Sequence, residues 1–482
     1  MFDVAIIGCG IVGAAAAYEL SKYRLSVAVL EKENDVSDGT TKANSAILHA
    51  GYDPRPGTLM AALNVEGVRL AKELCQKLDV PYRACGSLVL AFSEAERETL
   101  QTLYGQGLKN GVPGVELLDF QALHTLEPNV SPQAVGALHA PGAAIVSPWE
   151  YALALIETAV RNGVELFLES PVTAIRPLEG GGYLLKTPGG VHRARYVLNA
   201  AGVHADEVHN LIAAPSFRII PDRGEYYLLD KSEGGRVNHV IFQCPTAAGK
   251  GTLVSPTVHG NLIVGPNNEP PADGDDTATT RAGLSHVAEM ARKSVPSVDL
   301  RASIRNFSGV RAAADTDDFI IAEAQDAPGF IDLAGIKSPG LSAAPAIAGM
   351  AAGLLRDLGL PLEEKTDFID TRRRVRFKEL SPAEKADLVR ENPAYGRVIC
   401  RCETITEGEI LDAIHSPIPP RTVDAVKRRC NPGMGRCQGG FCGPRVVELL
   451  SRELGLDPTE VLQDRAGTVI LTGETKGGPR HV

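Results

Sequence analysis

Residues 4–31, VAIIGCGIVGAAAAYELSKYRLSVAVLE, leave the chain few folds to choose from. Residues 4–7 are a short apolar run of the kind that forms a buried parallel strand. Gly8, Gly10 and Gly13 then fit G-x-G-x-x-G. The first glycine permits a tight turn, the second lets backbone approach a pyrophosphate, and the third lets helix and strand pack closely. Ile11 and Val12 open a helix whose free N–H groups and dipole favour phosphate, and alanines at 14–17 extend it. Residues 26–30 form the second strand. Glu31 stands at its end, 23 positions after Gly8, where an acid reaches ribose hydroxyls. A glycine-rich turn without a ligand leaves Glu31 unexplained. The stretch therefore predicts dinucleotide binding in a doubly wound α/β domain.

The whole chain of 482 residues has room for about three domains. A net charge of −10 argues against nucleic acid as a partner and leaves no footprint for an anionic membrane. No apolar run is long enough to span a bilayer; the richest, 343–355, is short and contains Pro345 and Gly349. The first strand begins at once, so the reading expects no signal peptide and a cytoplasmic location, peripheral to a membrane only through a partner.

Patterning places the dinucleotide domain in three pieces, 1–80, 143–215 and 303–362, with an inserted substrate domain (α+β) at 81–142 and 216–302. Loop 32–58 lies where a doubly wound fold carries ligand contacts. Helices are expected over 60–78, over 94–109 behind a Ser93–Glu96 capping box, and over 149–161. Runs at 183–186 and 191–195 suggest a hairpin, and the strand from 196 runs straight into Asn199, Ala201 and Gly202. Residues 217–265 alternate strands and turns, as an antiparallel sheet does. From 329 the first architecture returns: a strand, the turn Gly335-Ile-Lys-Ser-Pro-Gly340, and an apolar helix. Residues 363–394 form a charged linker holding Arg372, Arg373, Arg374 and Arg376, in which Ser381 caps a helix with proline at its first position.

The last domain, 395–482, gathers cysteines. Cys400 and Cys402 are separated by 34 residues from Cys437 and Cys442. Four thiolates in two close pairs suit a [2Fe–2S] cluster or zinc. Gly433, Gly435, Gly439, Gly440 and Gly443 free backbone amides to approach cluster sulfides, while zinc more often takes C-x₂₋₄-C pairs. Buried free thiols are the third reading. Short helices are expected near 407–414, 423–429 and 445–454, with Cys430 a bystander or an alternative ligand.

Among candidate catalytic groups, His49 follows the loop that should face the cofactor. A neutral imidazole there can accept a hydroxyl proton while hydride leaves the same carbon. A packing role is the alternative. Arg311 ends an apolar strand and would clamp a carboxylate or phosphate; the alternative is an ion pair with Asp315 or Asp317. Arg223, Tyr226, His259 and Lys337 are weaker substrate candidates.

Together, the glycine motif with Glu31, Asn44-Ser45 with His49-Ala50-Gly51, Pro221-Asp-Arg-Gly-Glu-Tyr-Tyr227, Asn199-Ala-Ala-Gly202 and Gly335–Leu341 resemble the D-amino-acid-oxidase-like flavoprotein superfamily. Within it the chain is most similar to FAD-dependent glycerol-3-phosphate dehydrogenases, with L-2-hydroxyglutarate dehydrogenases as close relatives. The cysteine module resembles the bacterioferritin-associated-ferredoxin type of [2Fe–2S] domain, which favours a cluster over zinc. The resemblance implies FAD bound by Gly8, Gly10, Ile11, Val12, Gly13, Glu31, Lys32, Thr40, Asn44, Ser45, Val172, Ala201, Gly202, Gly335, Ser338, Gly340 and Leu341. It places a histidine like His49 near the reacting carbon and an arginine like Arg311 on the substrate anion. Positions 44–45 hold no histidine and the 335–345 loop no cysteine, so FAD is expected to be noncovalent. The implied activity is oxidation of a small anionic alcohol, glycerol 3-phosphate first, with electrons leaving through the cluster to a partner subunit or quinone. A 2-hydroxy acid, an amine or amino acid, or a role as an electron-transfer subunit are the alternatives.

Overall fold

The computed structural model describes residues 1–245 and 251–476. They form two compact units, one of residues 1–32 with 36–372 and one of residues 33–35 with 373 onward. The expected cysteine domain runs to 482, and its last six residues lie outside the described ones.

In the first unit, Phe2–Ile7 lies inside an eight-stranded sheet, buried on both faces as its unbroken apolar run requires. It pairs in parallel with Val27–Leu30 on one side and Gly190–Asn199 on the other. Glu165–Phe167 and Phe330–Ala334 extend the parallel part. Gly190–Asn199 is one long strand where two runs are expected. Its first half pairs with the hairpin strand Tyr183–Thr187 and its second half with Phe330–Ala334. Helix Ile11–Leu20 packs its small side chains against Pro148–Arg161 and Gly340–Asp357. A strand from each of the three expected pieces thus pairs in one sheet.

The second sheet also has eight strands: Ser303–Ala314, Ile219–Leu229, Leu262–Gly265, Leu253–Pro256, Val240–Gln243, Ser87–Ala91, Gly136–Ala140 and Glu116–Asp119. All its pairs are antiparallel except Val240–Gln243 with Ser87–Ala91, where the two sequence-distant pieces meet and no hairpin fixes direction. Ser303–Ala314 pairs along the whole of Ile219–Leu229, so this strand belongs to the second sheet, beyond the expected boundary at 303. An apolar strand pattern is the same in either sheet, and only its pairing partner tells them apart. One face packs on helix Arg281–Ser294 through Ile241, Val264, Val287 and Ala291, and the other on Glu94–Lys109 through Leu100, Leu103 and Leu138. Ser93 Oγ accepts from Glu96 N–H at 3.2 Å, but the Glu96 carboxylate accepts from Phe92 N–H, so the capping box is displaced by one residue.

The expected linker is divided. Arg372 is buried against Glu157 at 2.7 Å, which holds residues up to 372 in the first unit. Helix Pro382–Glu391 has the full Ser381–Glu384 capping box. In the second unit Glu407–Ile414, Val423–Cys430 and Gly443–Leu454 close around Ile410, Ile414, Val426, Val446 and Leu450. Among the described residues no helix is long and apolar enough to cross a membrane.

Candidate active site and cysteine centre

The glycine turn is dictated by backbone contact. Gly8 holds φ +95°, and a Cβ there would lie 2.5 Å from the Ala200 carbonyl oxygen; one on Gly13 would lie 2.0 Å from that of Gly8. Gly10 caps the helix without a side-chain bond, so the first turn keeps amide donors for a ligand. The exception is Ile11, whose N–H donates to Thr41 Oγ1 at 2.9 Å. Glu31 is buried, and its Oε2 accepts from Cys9 N–H at 2.6 Å, fixing the carboxylate against the turn. Ser170 N–H donates to Glu31 O at 2.8 Å, which brings in Val172. Ala201 and Gly202, the latter at φ +61°, follow the Ala200 carbonyl that crowds Gly8. Lys32 Nζ reaches Asp275 at 3.2 Å and lies 3.1 Å from His204 Nε2. Thr40 turns toward the second sheet, donating to Val310 O at 2.6 Å. Sequence reasoning missed Thr41, for which the only signal is a second hydroxyl beside Thr40.

Loop 40–49 leads to a second cluster. Asn44 clamps the loop: Nδ2 donates to Thr41 O and Oδ1 accepts from Ala46 N–H, both at 2.8 Å, holding Ala46 at φ +61°. Ser45 Oγ lies 3.1 Å from Tyr226 Oη, and the Tyr226 ring stacks on Phe307 at 4.8 Å. The short strand Ile47–Leu48 pairs with Ala144–Val146 and delivers His49. His49 N–H donates to Ser342 Oγ at 2.7 Å, its Nε2 lies 3.3 Å from Ser338 Oγ, and its ring lies 5.7 Å from that of Phe242. Gly335, at φ +65°, and Gly340 shape the turn carrying Ser338; a Cβ on Gly340 would meet Ile336 Cγ2 at 2.6 Å. Leu341 follows in the first turn of helix Gly340–Asp357. Lys337 is half-buried, and no described residue accepts from its ammonium.

Arg311 stands opposite Asp222 on the neighbouring strand and donates to its carboxylate, while Nη2 donates to Asn267 O at 3.2 Å. Burial works against the guanidinium charge, but Tyr226 and Asp222 outweigh it and hold its pKa above the usual value. Neither expected alternative partner is used: Asp315 accepts from Arg218 N–H and Asp317 lies 4.0 Å from Arg55. Between Arg311 and Tyr226, Gly224 and Gly309 leave the sheet face bare. A Cβ on Gly309 would come within 1.8 Å of Ala43 O, so loop 40–45 packs directly on this face.

Strand alternation separates Arg223 from Tyr226. Arg223 points to the other face, where it pairs with Asp276 at 2.6 Å. His259 Nε2 lies 3.4 Å from Glu150 Oε1, with its ring stacked on Trp149, beside the start of helix Pro148–Arg161. Thus His49, Ser45, Ser338, Tyr226 and Arg311 lie on segments packed together around loop 40–49, while the side chain of Arg223, on the same strand as Tyr226, faces away.

In the second unit, Cys402 Sγ lies 3.6 Å from Cys437 Sγ, and the Cys442 thiol donates to Cys400. That bond, with the Gly433 and Glu403 amides, outweighs burial and lowers the Cys400 thiol to about 6. Among the described residues no three His, Cys, Asp or Glu side chains converge as for one ion. Two thiol pairs match two irons with two thiolates each, better than one tetrahedral zinc. A Cβ on Gly435 would lie 2.4 Å from Cys402 Cβ, so glycine lets the two loops close. The Cys430 thiol is buried and donates to Val426 O, outside either pair.

Known proteins resemble this chain. The sequence matches the model of the FAD dependent oxidoreductase family over residues 3–354 and that of the BFD-like [2Fe-2S] binding domain over residues 398–452. The chain belongs to the FAD dependent oxidoreductase family. It is 52% identical to the glycerol 3-phosphate dehydrogenase of Caloramator mitchellensis, over 99% of both chains. The FAD-bound L-alpha-glycerophosphate oxidase of Mycoplasma pneumoniae superposes with a TM-score of 0.73 at 33% identity, covering 77% of this chain and 98% of that one. The human mitochondrial L-2-hydroxyglutarate dehydrogenase is 33% identical over 55% of this chain and 60% of its own. As a member of the family the protein is an FAD-dependent oxidoreductase, and its C-terminal module is of the [2Fe–2S]-binding kind.

Proposed function

We propose that the protein oxidises sn-glycerol 3-phosphate to dihydroxyacetone phosphate. The observation that carries this reading is a half-buried His49, its ring held by Ser338 and its backbone N–H by Ser342, with Lys337, whose ammonium no described residue accepts from, next to Ser338 in sequence. The full-length likeness to a glycerol 3-phosphate dehydrogenase supports it. The residues around the glycine turn fit FAD: Gly8, Gly10, Ile11, Val12, Gly13, Glu31 and Lys32 would hold its ADP half, with Val172, Ala201 and Gly202 alongside. Thr40, Asn44, Ser45, Gly335, Ser338, Gly340 and Leu341 would hold the ring end, noncovalently. FAD when bound supplies a two-electron acceptor for hydride, and the cluster on Cys400, Cys402, Cys437 and Cys442 supplies one-electron carriage.

The chain's own groups do the rest. With Nε2–H donated to Ser338 Oγ, which orients the ring, the His49 lone pair falls on Nδ1, and that nitrogen takes the proton of the secondary hydroxyl. Arg311 and Lys337 bind the phosphate oxygens, the first as a planar fork and the second as a point charge. Tyr226 and His259 bound the polyol end. The acceptor is a partner redox subunit or a quinone. Cys402 is exposed and Phe441, next to Cys442 in sequence, is 82% exposed, which suits electron exit to a docking partner. We place the protein in the cytoplasm, at a membrane only through that partner.

Anaerobic mixing with glycerol 3-phosphate should bleach the flavin band within one turnover. Bleaching by L-2-hydroxyglutarate alone would move the assignment to the 2-hydroxy acids, which the likeness to the human enzyme makes the second reading.

A further inference from the structure

Two further histidines meet at one end of the second sheet. His139 lies on Gly136–Ala140 and His239 immediately precedes Val240–Gln243; these strands flank Ser87–Ala91. Their ring centroids are 5.7 Å apart and their planes nearly perpendicular, at 84°. Each ring is oriented by a carboxylate. His139 Nδ1 lies 2.9 Å from Glu116 Oε1, and His239 Nδ1 lies 2.9 Å from Glu127 Oε2. An ionised carboxylate only accepts, so Nδ1 carries the proton and the lone pair of each neutral ring falls on Nε2. No described residue bonds either Nε2. This is the arrangement in which outer carboxylates prepare imidazoles for a metal.

The space between the rings is kept open by Gly86, at φ +67°. A Cβ there would lie 3.3 Å from both His139 Nε2 and His239 Cδ2, so the two ring edges converge on the same point. Two imidazoles on one ion through Nε2, with metal–nitrogen distances of about 2.0–2.1 Å, place their centroids about 5–6 Å apart. Glu127 supplies a further reason. Its side chain has no exposure, and it accepts from Asn238 N–H, His239 N–H and the His239 ring. A cation on that ring would compensate the buried negative charge.

We propose that His139 and His239 bind a divalent transition-metal ion of the imidazole-preferring class, zinc or nickel, with water completing the coordination. The ion would clamp the two strands that flank Ser87–Ala91, and it shares no ligand with the flavin or cysteine centres.

The test is calorimetric titration of the full-length holoenzyme, flavin and cluster intact, with Zn²⁺. One ion per chain is expected. His139→Gln and His239→Gln should each weaken it at least tenfold, and the double variant should abolish it. Glu116→Gln, on an exposed side chain, should weaken binding about tenfold through lost orientation of the ring. Zn²⁺ should also raise the thermal midpoint of the wild type and not that of the double variant. Equal binding, or an equal rise, in the wild type and the double variant overturns the proposal.

Discussion

The four cysteines of the second unit lie between residues 400 and 442, while the groups around His49 come from loop 40–49, the strands of the second sheet near 226 and 311, and the turn at 335–342. The cysteine centre is closed by short-range turns at Gly433, Gly435 and Gly439. The grouping around His49 is brought together by two eight-stranded sheets, each assembled from sequence-distant pieces. A locally closed site asks little of the rest of the fold. A site closed over hundreds of residues inherits every packing condition of the sheets that bring its parts together. Damage should therefore stay confined in the second unit and spread in the first.

The strongest test of that difference is Gly13→Ala. Its Cβ would be placed 2.0 Å from the Gly8 carbonyl, backbone that cannot step aside, while helix Ile11–Leu20 is wedged between two other helices. A cost of about 3 kcal/mol is expected, with loss of bound FAD, read by chemical denaturation and flavin absorbance. Retained flavin at wild-type occupancy would show that the turn can relax alone. Next in size, Cys402→Ser should remove the iron and the cluster absorbance completely while leaving the flavin spectrum unchanged. If flavin is lost as well, the second unit is not the self-contained site described above.

The same contrast explains what was legible in the sequence. Gly8, Gly13 and Glu31 could be read because one contiguous stretch holds strand, turn, helix and acid. The four cysteines could be read because their spacing is local. The grouping around His49 was legible only as separate candidates. Nothing in the sequence pairs Arg311 with Asp222 in place of Asp315 or Asp317, because that choice is made by the register of Ile219–Leu229 against Ser303–Ala314. Arg223 and Tyr226 look like neighbours in sequence, yet an odd offset of three places them on opposite faces. Ser342 and Thr41 were missed because hydroxyls in a helix or loop carry no pattern of their own. The boundary at 303 was missed because strand membership is a property of the partner strand.

Two smaller effects sharpen the comparison inside the first unit. His49→Gln keeps the Ser342 contact, which uses the backbone N–H, and removes the base. It should lower kcat about 10²- to 10⁴-fold with FAD and cluster both retained, measured by anaerobic flavin reduction. A near-normal rate would return His49 to a packing role. The smallest expected effect is that of Thr41→Val. Valine keeps the side-chain volume and deletes the acceptor for Ile11 N–H at the mouth of the glycine turn. The loss of one helix cap is worth about 1 kcal/mol. Since Thr41 is buried and belongs to loop 40–49, the cost should fall on the junction of the glycine turn with that loop. It should appear as FAD binding weakened about fivefold, with the cluster untouched. If binding is unchanged and only global stability falls, Thr41 supports the helix alone. The flavin site would then be less dependent on its long-range contacts than its construction from distant segments implies.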